Sequence, residues 1–216
     1  MTSAHLRFRS AFHELPLVAI LRGISAAEAD GVADVLVEEG FRLIEVPLNS
    51  PDPFTSIKAL SRRYGEAVMI GAGTVRKEEE LDRLVDVGAC LMVTPHADVR
   101  LIAAAKSRGM AIMPGVGTPT EGFAALDAGA DGLKVFPSGA VPPDLFRQWR
   151  SVFPSDVALC PTGGIGPEDM EAYVDVGASG FGLGTGLYRP GLEVAEVRLL
   201  AQAYTSAWRE LRFSGP

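Results

Sequence analysis

Glycines recur along this chain at a nearly regular spacing, and each lies between a helix-like stretch and a β-rich run. A residue just past the C-terminus of a helix often takes a left-handed conformation, which only glycine reaches without steric cost. The successive spacings are 25, 23, 21, 20 and 48 residues, and the last one covers two units. The pattern therefore predicts a chain of repeated strand–helix units. These glycines are Gly40, Gly65, Gly88, Gly109, Gly129 and Gly177.

The β-rich runs number eight, and most are continuously apolar. Runs of this kind are typical of parallel strands that are covered on both faces. Amphipathic stretches such as 78–88 and 98–109 lie between them, residues 2–14 indicate an extra leading helix, and residues 192–212 indicate the last helix. The runs are Leu17–Arg22, Arg42–Pro47, Ala67–Gly71, Cys90–Thr94, Met110–Pro114, Gly132–Phe136, Val157–Cys160 and Gly180–Leu183.

Eight strands alternating with eight helices predict an α/β fold, a (β/α)8 TIM barrel with an extra N-terminal helix. The length of 216 residues fits a single domain over residues 1–216. Helix starts are indicated by Ser25 ahead of Glu28, by Ser50-Pro51 and by Gly166-Pro167. An open doubly wound sheet is the structural alternative, but no GxGxxG motif follows the first run.

Composition argues against several functional classes. Twenty basic and 27 acidic side chains give a net charge of −7, which disfavours nucleic acid as a partner. The longest uncharged run, 176–188, is shorter than the roughly 20 residues of a membrane-spanning helix. The first residues lack the apolar core of a secretion signal. Two cysteines without a CxxC pair and three scattered histidines suggest no metal site. We expect a cytoplasmic protein without nucleic-acid or membrane partners.

Three charged residues lie inside or at the end of apolar runs. Lys134 is either a strand-edge lysine whose amine reaches water or a desolvated amine with a lowered pKa, suited to Schiff-base chemistry. Glu45 is either a structural ion-pair partner of Arg22 or Lys134 or a general acid/base with a raised pKa. Arg22 is either a solvated charge or a guanidinium that binds a substrate carboxylate through two hydrogen bonds. Together they place an amine, a carboxylate and a guanidinium at one rim of the predicted barrel.

Two glycine-rich turns follow the seventh and eighth runs. They are TGGIGPED at 162–169 and GLGTGLY at 182–188. In barrels these two loops often bind phosphate, because backbone N–H groups and the start of a helix face the anion there. Neither Lys nor Arg occurs between Thr162 and Tyr188, so the backbone would supply the donors. The candidate donors are Gly163, Gly164, Gly184 and Thr185.

Eight short motifs resemble those of the class I 2-keto-3-deoxy-6-phosphosugar-acid aldolases, the KDPG/KDPGal aldolase family. They occur in order from Leu15 to Gly191, across nearly the whole chain. The most specific part is a Glu in the second strand together with a Lys in a KxFP strand followed by TGGI. The motifs are PLVAILRG, EVPLNSP, IGAGTV, VTPH, MPGVGTPTE, LKVFPS, CPTGGI and GLGTGLY.

The resemblance implies a role for each candidate residue. Lys134 would form the Schiff base with pyruvate, Glu45 would act as general acid/base through a water, and Arg22 would bind the pyruvyl carboxylate. No cofactor or metal is implied, and a homotrimer is expected. The remaining substrate-binding residues would be Asn49, Thr74, Pro95, Phe136 and Thr162, and the phosphate would lie at Gly163, Gly164, Gly184 and Thr185.

The implied reaction is reversible cleavage of a phosphorylated sugar acid to pyruvate and D-glyceraldehyde 3-phosphate. PLNS at 47–50 and FPS at 136–138 resemble the family branch acting on 2-dehydro-3-deoxy-6-phospho-D-galactonate. CPTGGI at 160–165 instead resembles the 6-phosphogluconate branch. The two substrates are epimers at C4, so the galactonate is the expectation and the gluconate, or both, the alternative. The residues that could distinguish them are Asn49, His96, Ser138 and Thr162.

Two other functions remain open at this point. A phosphosugar isomerase or epimerase could use a similar barrel, but such enzymes commonly need a carboxylate pair or a metal. A non-catalytic phosphometabolite-binding barrel could retain the glycine-rich loops. Neither has an obvious need for both Lys134 and Glu45, which disfavours both alternatives.

Overall fold

The computed structural model describes residues 3–213 and has an α/β fold. Within those residues there are nine strands, nine α-helices and two short 3-10 turns, Ser138–Ala140 and Pro167–Asp169. The strands are β1 (Leu17–Ile20), β2 (Leu43–Pro47), β3 (Met69–Gly73), β4 (Leu91–Val93), β5 (Ala111–Met113), β6 (Gly115–Val116), β7 (Leu133–Val135), β8 (Leu159–Pro161) and β9 (Phe181–Leu183). The helices are α1 (Ser3–Glu14), α2 (Ala26–Glu38), α3 (Pro53–Tyr64), α4 (Glu79–Asp86), α5 (Val99–Ser107), α6 (Pro119–Asp127), α7 (Pro143–Val152), α8 (Met170–Val174) and α9 (Val194–Phe213).

The strands form two sheets in which every pairing is parallel. The six-stranded sheet has the order β5-β4-β3-β2-β1-β9, and the three-stranded sheet has the order β6-β7-β8. Thr162, directly after β8, pairs with Gly182 of β9 and links the sheets. Within each sheet β1 to β5 and β6 to β8 follow one another in sequence order, whereas strand order reverses in a doubly wound sheet. The doubly wound alternative is therefore wrong.

Each of the eight predicted runs overlaps a strand, although β3 and β8 extend past the ends of their runs, and a ninth strand follows the fifth run. The predicted run Met110–Pro114 becomes β5, and a second strand, β6, follows Pro114. Proline has no N–H to donate to a neighbouring strand, although the Pro114 carbonyl accepts from the Lys134 amide at 2.9 Å. β5 pairs with β4 and β6 pairs with β7. The prediction of eight strands was therefore wrong by one.

One predicted helix start was also wrong. Helix α3 begins at Pro53, not at Ser50-Pro51. The Ser50 hydroxyl accepts a hydrogen bond from the Gly23 amide at 2.9 Å, so Ser50 joins two loops instead of capping a helix. The start at Ser25 is confirmed, because Glu28 accepts from the Ser25 amide in a capping box.

The periodic glycines have the left-handed conformation that their positions predict. All six have positive φ, between 56° and 103°. Gly109 illustrates their local role, since its amide donates to the Lys106 carbonyl in the last turn of α5. The glycine spacing therefore did identify where the helices end.

Helix α1 covers the N-terminal end of the strands. Its Phe8 packs beside Gly132 and Ala158, each immediately before a strand. The buried Asp131 carboxylate accepts from His5 of α1 at 2.5 Å and from Lys106 at 2.7 Å. The opposite, C-terminal end of the strands is the end that carries the functional sites in such folds. No helix of the described residues is long and apolar enough to cross a membrane.

Gly109 offers a direct test of the glycine pattern. Its φ is 76° and a Cβ there would meet no atom within 4 Å, so a substitution changes only the backbone energy. We expect Gly109→Ala to lower the free energy of unfolding by about 1–2 kcal/mol, and Gly109→Asn by less, because Asn tolerates this conformation better. Thermal unfolding measures this loss as a decrease in Tm of roughly 2–4 °C for each kcal/mol.

The control is Gly139→Ala. Gly139 is equally open, but its φ lies outside the left-handed region. Equal losses of Tm in the two alanine variants would contradict the account of the glycine pattern.

Candidate active site

The three charged residues singled out in the sequence lie on or just after three different strands and are close enough to influence one another's charge. Glu45 lies in the middle of β2 opposite Ile20 of β1, and Arg22 follows β1 by two residues. Lys134 lies in the middle of β7. Burial differs among them, because Glu45 is 1% exposed and Lys134 is 6% exposed, whereas Arg22 is exposed. The structure thus brings an exposed guanidinium close to two buried ionisable groups.

Glu45 is buried without a direct partner for its charge. Burial raises the pKa of Glu45 to about 7, although the positive charges of Lys134 and Arg22 act in the opposite direction. Its Oε2 atom has no hydrogen-bond partner. Among the ion pairs of residues 3–213 none joins Glu45 to Lys134 or Arg22 within 4.0 Å. The structural ion pair considered from the sequence does not form, and the carboxyl group is free to exchange a proton near neutral pH.

The protonation equilibrium of Lys134 is also shifted toward the neutral amine. Burial lowers the pKa of Lys134, the charge of Arg22 lowers it further, and the charge of Glu45 raises it. The amine lies 5.1 Å from the centre of the Phe136 ring. At 6% exposure it does not extend into water as a strand-edge lysine would. A larger neutral fraction of the amine makes Lys134 a better nucleophile toward a carbonyl carbon.

Gly73 makes room for Glu45 and was not identified as a site residue from the sequence. A Cβ at Gly73 would lie 1.7 Å from Oε2 of Glu45, closer than any real contact. The register explains the proximity, because β2 and β3 pair along Glu45–Gly71 and Pro47–Gly73. Gly73 belongs to the GAGT motif, but the reason for a glycine there is its contact with Glu45, 28 residues earlier in the chain. The sequence alone does not reveal that contact.

Arg22 is held by two of the predicted substrate-binding residues. Its Nη1 donates to Oδ1 of Asn49 at 2.7 Å, and its Nη2 donates to Oγ1 of Thr74 at 3.4 Å. Asn49, Thr74 and Pro95 line a cleft of about 420 Å³ at the ends of β2, β3 and β4. Arg76 and Glu80, which the sequence analysis did not identify, line the same cleft. Arg22 therefore bonds to two residues that line a polar cleft wide enough to admit a small anion.

The turn after β8 lies beside Lys134. Thr162 is buried and lines a small apolar cavity together with Lys134. Gly163 and Gly164 have φ values of 104° and 75°, and Gly163 packs against the Phe136 ring. The Ser138 hydroxyl donates to the Gly163 carbonyl, and its amide donates to the Thr162 carbonyl. Ser138 thus braces this turn from the end of β7.

The turn after β9 is adjacent, because Thr162 pairs with Gly182. Within residues 3–213 the amides of Gly164, Gly184 and Thr185 donate to no protein acceptor. The Gly184 carbonyl accepts from the amides of Leu187 and Tyr188, which closes the turn. Unused amides in two adjacent glycine-rich turns are the arrangement that an anion site requires.

Two features of the site concern His96 and metals. His96 is exposed after β4, and no hydrogen bond in the described part of the chain joins its side chain to Asn49, Ser138 or Thr162. Among residues 3–213 no group of three or more His, Cys, Asp or Glu side chains is placed to hold a metal ion. Of the four predicted specificity candidates, the structure joins Ser138 to Thr162 and places Asn49 against Arg22, and it links the His96 side chain to none of them.

Known proteins resemble this chain in sequence. Probable 2-dehydro-3-deoxy-6-phosphogalactonate aldolase of Rhizobium meliloti (strain 1021) is 45% identical over 90% of this chain and 92% of the relative. The 2-dehydro-3-deoxy-6-phosphogalactonate aldolase of Escherichia coli (strain K12) is 44% identical over 91% and 96%. A 2-dehydro-3-deoxy-phosphogluconate aldolase of Pseudoalteromonas atlantica is 32% identical over 76% of each chain.

The fold and the family agree with these relatives. A solved structure described as "Native KDPGal structure" matches with a TM-score of 0.91 at 43% identity, over 93% of this chain and 97% of the other. The family model described as "Aldolase: KDPG and KHG aldolase" matches residues 8–198. That span includes both buried ionisable residues, the cleft at Arg22 and the two glycine-rich turns. The chain belongs to the KDPG and KHG aldolase family.

Proposed function

We propose that this chain is a class I aldolase that reversibly cleaves 2-dehydro-3-deoxy-6-phospho-D-galactonate to pyruvate and D-glyceraldehyde 3-phosphate. The observation that carries the proposal is the unpaired burial of Lys134 and Glu45 at one rim of an aldolase-family fold. Lys134 acts as the nucleophile and Glu45 as the general acid/base. A Schiff-base route uses these two groups without a cofactor or a metal.

The first step joins Lys134 to the substrate. The neutral amine attacks the C2 ketone and forms a carbinolamine, whose hydroxyl takes up a proton from solvent and leaves as water, which gives a protonated imine. The burial that lowers the pKa of Lys134 supports this step, because it favours the uncharged nucleophile. The imine then draws electrons away from the C3–C4 bond.

The second step breaks that bond. Glu45, directly or through a water, removes the proton of the C4 hydroxyl, and the C4 carbon becomes the aldehyde of glyceraldehyde 3-phosphate. The bonding electrons pass to the imine and give an enamine. Glu45 then returns the proton to C3, and hydrolysis of the imine releases pyruvate. A pKa of about 7 suits a group that first accepts and then donates a proton near neutrality.

The substrate lies across the rim in this proposal. Arg22 binds the pyruvyl carboxylate, with Thr74, Pro95 and Phe136 shaping that pocket and Thr162 beneath it. The phosphate lies at the two glycine-rich turns, at Gly163, Gly164, Gly184 and Thr185, whose backbone amides supply the donors. Hydrogen-bond geometry supports this orientation, because a guanidinium can bind a carboxylate in a bidentate way and clustered backbone amides can bind a phosphate.

Sequence similarity supports the galactonate epimer as substrate. The relatives at 44–45% identity, matched over at least 90% of this chain, carry the phosphogalactonate name. The phosphogluconate relative is 32% identical over about three quarters of it. Asn49, which bonds to Arg22 at 2.7 Å, is the polar residue of the PLNS motif that lines the cleft, beside Leu48. We assign the discrimination at C4 to this loop, with Ser138 and Thr162 on the opposite side.

We further propose a closed (β/α)8 barrel over a single domain of residues 1–216. The continuous segment from β5 to β6 and the Thr162–Gly182 bridge support closure, since they connect the two sheets at both edges. A homotrimer and a cytoplasmic location remain predictions from the family resemblance and the composition.

The substrate assignment is tested with the two C4 epimers. If hydrogen bonds distinguish the C4 epimers, we expect kcat/KM for pyruvate release to be roughly tenfold higher or more with the galactonate than with the gluconate. If recognition of C4 is loose, the purified protein should release pyruvate from both. Coupled detection of pyruvate and glyceraldehyde 3-phosphate gives both rates. Asn49→Ala should lower the ratio of the two rates, because it removes a polar side chain of the loop to which we assign the discrimination at C4. A higher rate with the gluconate contradicts the substrate assignment, and no cleavage of either epimer contradicts the aldolase proposal.

The pH dependence tests Glu45. Cleavage needs its carboxylate, so we expect kcat/KM to fall as the pH drops through about 7. Glu45→Gln should lower kcat by roughly 10²–10⁴-fold. Glu45→Gln also removes the negative charge that raises the pKa of Lys134. The remaining fall of kcat/KM at low pH should therefore shift to lower pH.

The measurement is kcat/KM between about pH 5 and about pH 9 for wild type, Glu45→Gln and the exposed control Glu66→Gln. Glu66→Gln should reproduce the wild-type profile. A Glu45→Gln profile that keeps the wild-type acid limb would show that another group titrates.

A further inference from the structure

Thr74 has a backbone conformation that its residue type disfavours. Its φ is 56°, and among the described non-glycine residues only Asp52, at 41°, shares a positive value. A β-branched side chain makes this conformation especially uncommon. Such strain persists only where the surrounding structure imposes it, and it concentrates at functional sites.

The residue before Thr74 cannot move to relieve the strain. Gly73 pairs with Pro47 of β2, and its carbonyl accepts from the Leu48 amide at 2.8 Å. The Gly73 Cα lies so close to the Glu45 carboxylate that even a methyl group there would overlap it. A shift of the backbone toward β2 would displace a buried ionisable group.

The residue after Thr74 is also fixed. Val75 is fully buried, and its amide hydrogen bonds to the Val93 carbonyl at the end of β4. The chain must therefore turn between β3 and the core within the single residue Thr74. Both neighbours keep the left-handed conformation in place.

The turn directs the Thr74 hydroxyl at Arg22. Oγ1 of Thr74 accepts from Nη2 of Arg22 at 3.4 Å, while Oδ1 of Asn49 accepts from Nη1 at 2.7 Å. Arg22 is otherwise an exposed, long side chain with many accessible rotamers. Two acceptors from two different loops thus limit the positions of its guanidinium before any substrate arrives.

We propose that Thr74 is a positioning residue whose strained backbone holds Arg22 ready for the substrate carboxylate, at a cost in stability. The proposal rests on the proposed function for the carboxylate, but the strain and the hold on Arg22 are properties of the ligand-free protein. A guanidinium that is already ordered loses less conformational entropy on binding, which lowers KM. Thr74 acts through Arg22 in this proposal and transfers no proton.

Three substitutions separate the hydroxyl from the strain. Thr74→Ser keeps the hydroxyl, Thr74→Val keeps the branched shape without it, and Thr74→Gly removes both. We expect KM to stay within about twofold for Ser and to rise roughly tenfold for Val and Gly, with a smaller change in kcat. Tm should rise for Gly and not for Val, because only glycine relieves the strain. Asp52→Gly is the matched control, expected to raise Tm and leave KM unchanged.

A second readout does not depend on the reaction. Nitrogen-15 relaxation of the Arg22 Nε–H in the ligand-free protein, assigned with Arg22→Lys, should show greater mobility in Thr74→Val and Thr74→Gly than in wild type and Thr74→Ser. Unchanged Arg22 mobility in Thr74→Val overturns the positioning role. If the Tm of Thr74→Gly is at or below that of wild type while the Tm of Asp52→Gly is raised, the proposal that the Thr74 backbone is strained is overturned. Absence of cleavage by the wild type contradicts the proposed function alone, since the relaxation and the Tm still decide this inference.

Discussion

The chemistry of this site depends on burying an amine and a carboxyl group near each other without letting them pair. Burial moves both groups toward their neutral forms, raising the pKa of Glu45 to about 7 and lowering the pKa of Lys134. A direct ion pair would oppose both effects by stabilising the charged forms. The missing contact therefore favours the neutral amine and a carboxyl group that can exchange a proton near neutral pH, as the proposed mechanism requires.

The rest of the fold maintains that separation. Lys134 and Glu45 are fixed at the middle of short parallel strands, whose registers leave little freedom to approach. Helix α1 covers the opposite end of the strands, so the open rim lies at one end. Gly73 leaves a space that the Glu45 carboxylate occupies. Arg22, held from two loops, contributes a positive charge that lowers the pKa of Lys134 further.

The sequence predicted the features that depend on local pattern. Apolar runs located every strand except β6, the glycines located the helix ends, and charged residues inside apolar runs identified Lys134 and Glu45. It did not predict the division of the fifth strand at Pro114, because that depends on which neighbour each half pairs with. The roles of Gly73 and Thr74 depend on contacts across strands, and no local pattern encodes those distances. The motifs at 47–50 and 136–138 pointed to the galactonate and the motif at 160–165 pointed to the gluconate, so the sequence favoured the galactonate and left the gluconate as the alternative.

The most direct test of the account is covalent trapping of the imine. The protein is mixed with pyruvate, reduced with borohydride, digested and mapped by mass spectrometry. The account predicts a reduced pyruvyl adduct on Lys134 and none on Lys106, whose amine is held by Asp131 at 2.7 Å. Absence of an adduct on Lys134 in folded protein, or an adduct on a different lysine, would contradict the proposal that burial prepares Lys134 as the nucleophile.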